Sequence, residues 1–250
     1  MPNAQKSSVN ASRGRQDARE DLFSRLENQG FRELAAAHLL AAGVALAPTI
    51  DDKQMLAAHV REELSHFETI ATVYEELGGS DLLPLVEDRV RELRTPTSWD
   101  EMVVAAFVFD LAVYHQLVSY RELSHIVLRR VVESGLANEL AHQKAAEAMF
   151  IDAFRARTRA EGPEGISEHL AMWLQLALGA LDDQEDSAPR DVSDAGGAVE
   201  AGGAPANPAP QRSASVRFLG QVARILDQVG LSLPDLATAE SLEAPRQGSP

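Results

Sequence analysis

The 250-residue chain contains no cysteine. That absence excludes disulfides, Cys-ligated zinc, iron–sulfur clusters and cysteine nucleophiles together. Any redox chemistry must therefore use histidine or carboxylate ligands, or a cofactor with no thiolate. A basic excess is also missing: 23 Lys and Arg face 38 Asp and Glu, for a net charge of −15. This balance argues against nucleic acid or an anionic membrane surface as the main partner. No apolar stretch of bilayer-spanning length is free of charge, so no transmembrane helix is expected. The polar segment Met1 to Glu20 has no apolar core of the kind a secretory signal needs, which leaves a cytoplasmic location as the expectation. Period-two alternation and Asn-Gly hairpin signals are missing too, and the class is read as all-α.

What is present is a succession of helical patterns. Residues 1–18 are rich in Ser, Asn, Arg and Gln and read as a disordered tail. Residues 19–181 read as one helical bundle. Within it, Leu22 to Ala47 ends at Pro48, and Asp51 to Leu77 ends at Gly78-Gly79. A shorter helix, Leu82 to Leu93, stops before Pro96. Ser98 and Glu101 have the spacing of a capping box and open a strongly apolar helix from Glu101 to Val118. Ile126 to Arg159 and Ile166 to Leu181 complete the bundle, with Gly162-Pro163 between them. Residues 182–213, with two Gly-Gly pairs and several prolines, read as a flexible low-complexity linker. Residues 214–250 hold a last amphipathic helix, Val216 to Val229, expected to dock on the bundle or on a partner, and a tail.

Two Glu-x-x-His units lie inside the long helices: Glu63-Leu-Ser-His66 and Glu139-Leu-Ala-His142. A separation of three residues puts each Glu and His on one helix face, about one turn apart. This is the ligand unit of four-helix di-iron carboxylate bundles, in which each remaining helix adds one carboxylate. Glu33 and Glu63 lie equally far from Pro48, so a hairpin turning there brings both to the same depth, about 22 Å from the turn. Asp110 and Glu139 bear the same relation about Ser124-His125. The half-repeats read Glu33…Glu63-x-x-His66 and Asp110…Glu139-x-x-His142, and four carboxylates balance two divalent irons. Asp110 is the only charged residue from Met102 to Tyr114, a costly placement unless it is neutralised or paired. Metal ligation supplies the pairing, and a protonated or arginine-paired core aspartate is the alternative.

A third unit, Glu122-Leu-Ser-His125, falls about 18 Å along the axis from Asp110 and on another face, so it is assigned to the surface. Glu62 is set aside as a ligand because it points about 100° away from Glu63. His38, His59 and His115 read as packing residues or partners of ligands, Trp99 and Trp173 as core anchors, and Glu75-Glu76 and Glu87-Asp88 as solvated faces.

At these residues the chain resembles the catalytic subunit of the phenylacetyl-CoA epoxidase (ring 1,2-phenylacetyl-CoA monooxygenase) family, in the ferritin-like superfamily. The resemblance covers about residues 31–150. Ala47-Pro48-Thr49 leads into Glu63-x-x-His66 as in the family, Ser98-Trp99 opens the third helix eleven residues before Asp110, and Gly230-Leu-Ser-Leu-Pro-Asp235 is similar to the family's ending. The family's lysine four residues before the second-helix glutamate is here His59.

The resemblance implies a ferritin-like four-helix bundle with additional C-terminal helices. It also implies iron ligation by Glu33, Glu63, His66, Asp110, Glu139 and His142. The activity it implies is O2-dependent epoxidation or hydroxylation of a small aromatic substrate held as a CoA thioester. Electrons would come from a separate reductase, beside a related non-catalytic ferritin-like subunit or a homo-oligomer. Manganese is the alternative metal. Recruitment to a biosynthetic small molecule, a ferritin-like ferroxidase or iron-binding protein, and a non-catalytic partner subunit are the competing functions.

Overall fold

The computed structural model describes residues 3–122, 126–160, 169–177 and 214–231, with side chains from Gln16 onward except at 17, 18, 122 and 134. Every regular element among them is helical: α1 (Asn3–Leu46), α2 (Ile50–Glu76), α3 (Leu83–Arg91), α4 (Trp99–Glu122), α5 (Ile126–Ala160), α6 (169–177) and α7 (Ala214–Gln228). No strand occurs among the described residues.

Local chemistry sets the first hairpin. Pro48 stops α1, and Thr49 starts α2 by accepting the Asp52 backbone N–H at 3.1 Å. Asp51 and Asp52 place negative charge on the first turn, where the helix dipole favours it. Lys53 reaches back to the Val44 and Ala45 carbonyls at 2.7 and 3.3 Å, supplying donors to the end of α1. At the far end Gly78 takes φ 87°, a left-handed conformation that favours glycine. The Gly78 N–H then reaches Glu75 O at 2.8 Å and the Gly79 N–H reaches Tyr74 O at 2.9 Å, a Schellman closure of α2. Contacts climb the hairpin in step: Glu33 with His66, Phe23 with Tyr74, Arg19 with the Leu77 carbonyl.

The second hairpin pairs α4 with α5, and α3, which lies between the two hairpins in the chain, packs on α1. α1 packs on α4, whereas α2 and α5 meet along a sparsely packed seam. At Gly43 a Cβ would come within 2.6 Å of the Met102 sulfur, so the absent side chain is what lets α1 approach α4. By length and composition Trp99–Arg121 would cross a bilayer, yet 78% of its most apolar window is buried. It is the central helix of the core: Phe107 stacks on Phe150 at 4.4 Å, and Met102 to Leu111 run through the main apolar cluster. α6 contributes Leu170 and Trp173 to that cluster, and α7 packs on α4 through Phe218, Val222, Ile225 and Leu226. A polar edge flanks the α7 contact, with His115 Nε2 3.0 Å from Gln221 and Arg217 donating to Ser119 at 2.5 Å.

Three sequence expectations shift. α1 starts at Asn3, upstream of the boundary at residue 18 expected for a tail, because Ala, Arg and Gln extend an existing helix at little cost. The capping box at α4 is half formed: Ser98 Oγ accepts the Glu101 N–H at 3.1 Å, but Glu101 turns to the N–H and hydroxyl of Thr97, both at 2.8 Å. Arg94 approaches its other oxygen at 2.9 Å and supplies the countercharge that draws Glu101 aside. α4 also runs on to Glu122, past the expected end at Val118. The linker at 182–213, Gly162-Pro163, the tail after α7 and most of the third Glu-x-x-His unit lie outside the described residues.

Candidate metal centre

α1, α2 and α5 bring Glu33, Glu63, His66 and Glu139 together so that one donor atom from each lies within 4.8 Å of all the others. The helical spacing works as expected: Glu63 and His66 face inward from one turn of α2, with His66 Nδ1 3.7 Å from Glu63. The same nitrogen lies 3.4 Å from Glu33 and 3.3 Å from Glu139. His142 joins through Glu63, its Nδ1 2.9 Å from the carboxylate. Asp110 is outside the four-residue cluster. It is buried on α4 and interacts electrostatically with Glu63, Glu139 and His142.

These interactions divide the six into two sets. Glu33 and His66 lie on one side, Asp110 and His142 on the other. Glu63 touches both histidines, and Glu139 faces His66 while sensing His142. Such a distribution would let Glu33 and His66 hold one cation and Asp110 and His142 another, with Glu63 and Glu139 between them.

The fit to metal can be tested on atoms left without partners. Glu33 Oε2, His66 Nδ1, Glu139 Oε1 and His142 Nδ1 are buried atoms that face one another or Glu63 at 2.9–3.4 Å without well-aligned hydrogen bonds. Buried polar atoms are ordinarily well bonded, and four such atoms aimed inward form a donor set for cations. The electrostatics agree. Burial pushes Glu63 and Glu139 each up to about 8, with repulsion from neighbouring carboxylates adding to it. Burial also holds Asp110 well above the usual range, reinforced by Glu63 and Glu139. Burial alone would depress His66, but attraction to Glu139, Glu33 and Glu63 outweighs it and lifts the imidazole to about 12. Glu33 is the exception: burial raises it, yet His66 and its other hydrogen-bonding neighbours, including Gln29 at 2.5 Å, bring it below the usual value. Without cations the site therefore retains protons that divalent metals would displace.

Glu62, set aside from its position on α2, has a role across the seam. Its carboxylate lies 2.6 Å from Nε2 of His142, the ring nitrogen that faces away from the centre. His59 packs against the same ring at 4.1 Å, and burial together with His142 pushes it down to about 4, so it is neutral. A wheel drawn on one helix could not reveal this, because the partner is on α5. The available signal was positional: Glu62 and Asn138 each directly precede the glutamate of a Glu-x-x-His unit. Trp173 is buried and Trp99 packs against the core, as expected of anchors, and His115 binds Gln221 rather than the centre.

Residues 16–193 match the family described as ferritin-like domain, actinomycetes. The chain belongs to this family. The match covers all six candidate donors and ends before α7. No curated protein matches the chain.

Proposed function

We propose that this ferritin-like protein holds two divalent metal ions, iron with manganese as the alternative, and uses them as an O2-dependent oxidoreductase. The observation that carries this reading is the convergence of Glu33, Glu63, His66 and Glu139, one donor atom of each within 4.8 Å of the others, beside buried Asp110 and His142. Glu33 and His66 would hold one ion, Asp110 and His142 the other, with Glu63 and Glu139 shared. Bound iron supplies the electrons and the Lewis acidity that reduce O2. The chain's own part is to orient the donors, give up the protons on Glu63, Glu139, Asp110 and His66, and exclude bulk water with the apolar wall of α4. With no cysteine, this chain holds no iron–sulfur relay, so reducing equivalents would come from a separate reductase.

The resemblance to phenylacetyl-CoA epoxidase supports oxygenation of a small aromatic substrate carried as a CoA thioester, with a related subunit as partner. One observation favours a second reading. The cleft that touches Glu33 and His66, lined also by Thr69, Ile70, Leu117, Val131 and Gly135, has an open volume of about 10 Å3. That is room for about one water molecule and too small for an aromatic ring unless α2 and α5 part. A ferroxidase, whose substrates are iron and O2 alone, would need a far smaller opening.

Anaerobic loading with ferrous iron followed by O2 separates these functions. The oxygenase reading expects two irons retained per chain and further O2 consumption only with reductant and substrate. The ferroxidase reading expects O2 consumption on each addition of iron alone. A protein that binds no iron under either protocol would refute both.

A further inference from the structure

We infer that the two metal positions are unequal: the one served by His142 is tighter and fills first, whereas the one served by His66 fills second and stays exchangeable. The inference rests on the di-metal reading above and adds an order of loading to it.

The two halves of the bundle differ in what stands behind each histidine. Both rings turn Nδ1 inward and Nε2 outward. Behind His142, the Glu62 carboxylate sits 2.6 Å from Nε2. Behind His66, the group in the equivalent position is the Asn138 amide, at 3.5 Å. Glu62 and Asn138 correspond in sequence, each just before its unit's glutamate, and each reaches across the seam to the other unit's histidine. A carboxylate accepting the Nε2–H fixes the tautomer that leaves the Nδ1 lone pair free and makes that nitrogen a stronger donor. The Asn138 atom that faces His66 is the amide nitrogen, a donor at the limit of hydrogen-bond distance, so it cannot accept the Nε2–H and gives no such support.

Packing points the same way. The His142 side chain is 3% exposed and has the His59 ring against its face. The His66 side chain is 15% exposed and borders the narrow cleft. Gly135 leaves space there, because even an added Cβ would stop 3.9 Å from the ring. One imidazole is held on its face and at its outer nitrogen, while the other has an open flank. Preorganisation therefore favours the His142 position, and access favours exchange at the His66 position.

The test is a titration of the metal-free, full-length protein with cobalt(II), followed by calorimetry and by visible absorption. The expected isotherm has two steps of one cobalt each, separated by about 10–100-fold in affinity, the range over which such backing groups act. Glu62→Gln should weaken the first step by that factor and leave the second in place, merging the two. Asn138→Asp should strengthen the second step and merge them from the other side. Both residues are exposed, so the variants should keep the wild-type far-UV circular dichroism. Two equal steps in the wild type would overturn the inequality while leaving the metal centre standing. So would a Glu62→Gln variant that left the isotherm unchanged or weakened both steps alike. Absence of any cobalt binding would overturn the centre itself and the inequality with it.

Discussion

Stripping the metal should make this protein alkali-sensitive, in a direction opposite to ordinary acid denaturation. In the unfolded chain Glu63 and Glu139 release their protons near 4.5, and in the metal-free fold near about 8. Between those values the folded state holds two protons that the unfolded state has lost, so stability falls as pH rises. Each extra proton contributes about 1.4 kcal/mol per pH unit. From about pH 6 to about pH 7.5 the two carboxylates should thus remove roughly 4 kcal/mol, a large share of the ~5–15 kcal/mol typical of a domain. His66, raised to about 12, adds to the loss from 6.5 upward, discounted because its outer edge meets solvent. Glu33 has the opposite sign and acts only as pH falls through 4.5 and below. At roughly 2–4 °C per kcal/mol, the metal-free Tm should drop by about 8–16 °C over that interval.

Thermal melts of chelator-treated and iron- or cobalt-loaded protein across this range are the assay. Loaded protein should not show the drop, because its donors carry no protons to lose, and the two curves should diverge with rising pH. A Glu63→Gln, Glu139→Gln double variant, metal-free, should show a much shallower fall, because both carboxylates are gone and His66 has lost two of the three partners that raise it, which leaves buried Asp110 as the remaining group of the same sign. A metal-free Tm that is flat or rises with pH would refute the reasoning.

Asp110→Ala should reduce metal content from about two ions per chain to about one, measured by elemental analysis, since the His142 position would lose its second private donor. Glu101→Ala should cost about 1–3 kcal/mol in urea unfolding, by leaving the Thr97 N–H and Arg94 without their acceptor. Its metal content should be unchanged. Phe218→Ala should cost about 3–5 kcal/mol of α7 docking. Amides of α7 should then exchange rapidly with solvent while those of α1 and α2 keep their protection.

The parts of the fold written in local chemistry were legible. Pro48, Thr49 and the Gly78-Gly79 pair fix α2 to within a residue of its expected Asp51–Leu77 span, because each acts on its own few backbone groups. Phe218, Val222, Ile225 and Leu226 mark the buried face of α7 by periodicity alone. Spacing also anticipated that Glu33, Glu63 and His66 would meet, since three residues on a helix and equal distances from Pro48 are geometry, whereas the second turn at Ser124-His125 lies outside the described residues. What could not be read depends on a second helix. Glu62 looks solvent-facing on α2 until α5 delivers His142 to it. Glu101 looks like half of a reciprocal box until Arg94 and Thr97 draw it away. The start of α1 was hidden for another reason: a polar segment gives no periodic signal, yet it continues a helix already nucleated downstream.

The thin packing between α2 and α5 has a consequence of its own. Each hairpin contributes three of the six donors, so filling both positions would need the two arms closed on one another along that seam. Ion release would loosen this edge alone, because α1 packed on α4 holds the arms together on the opposite side.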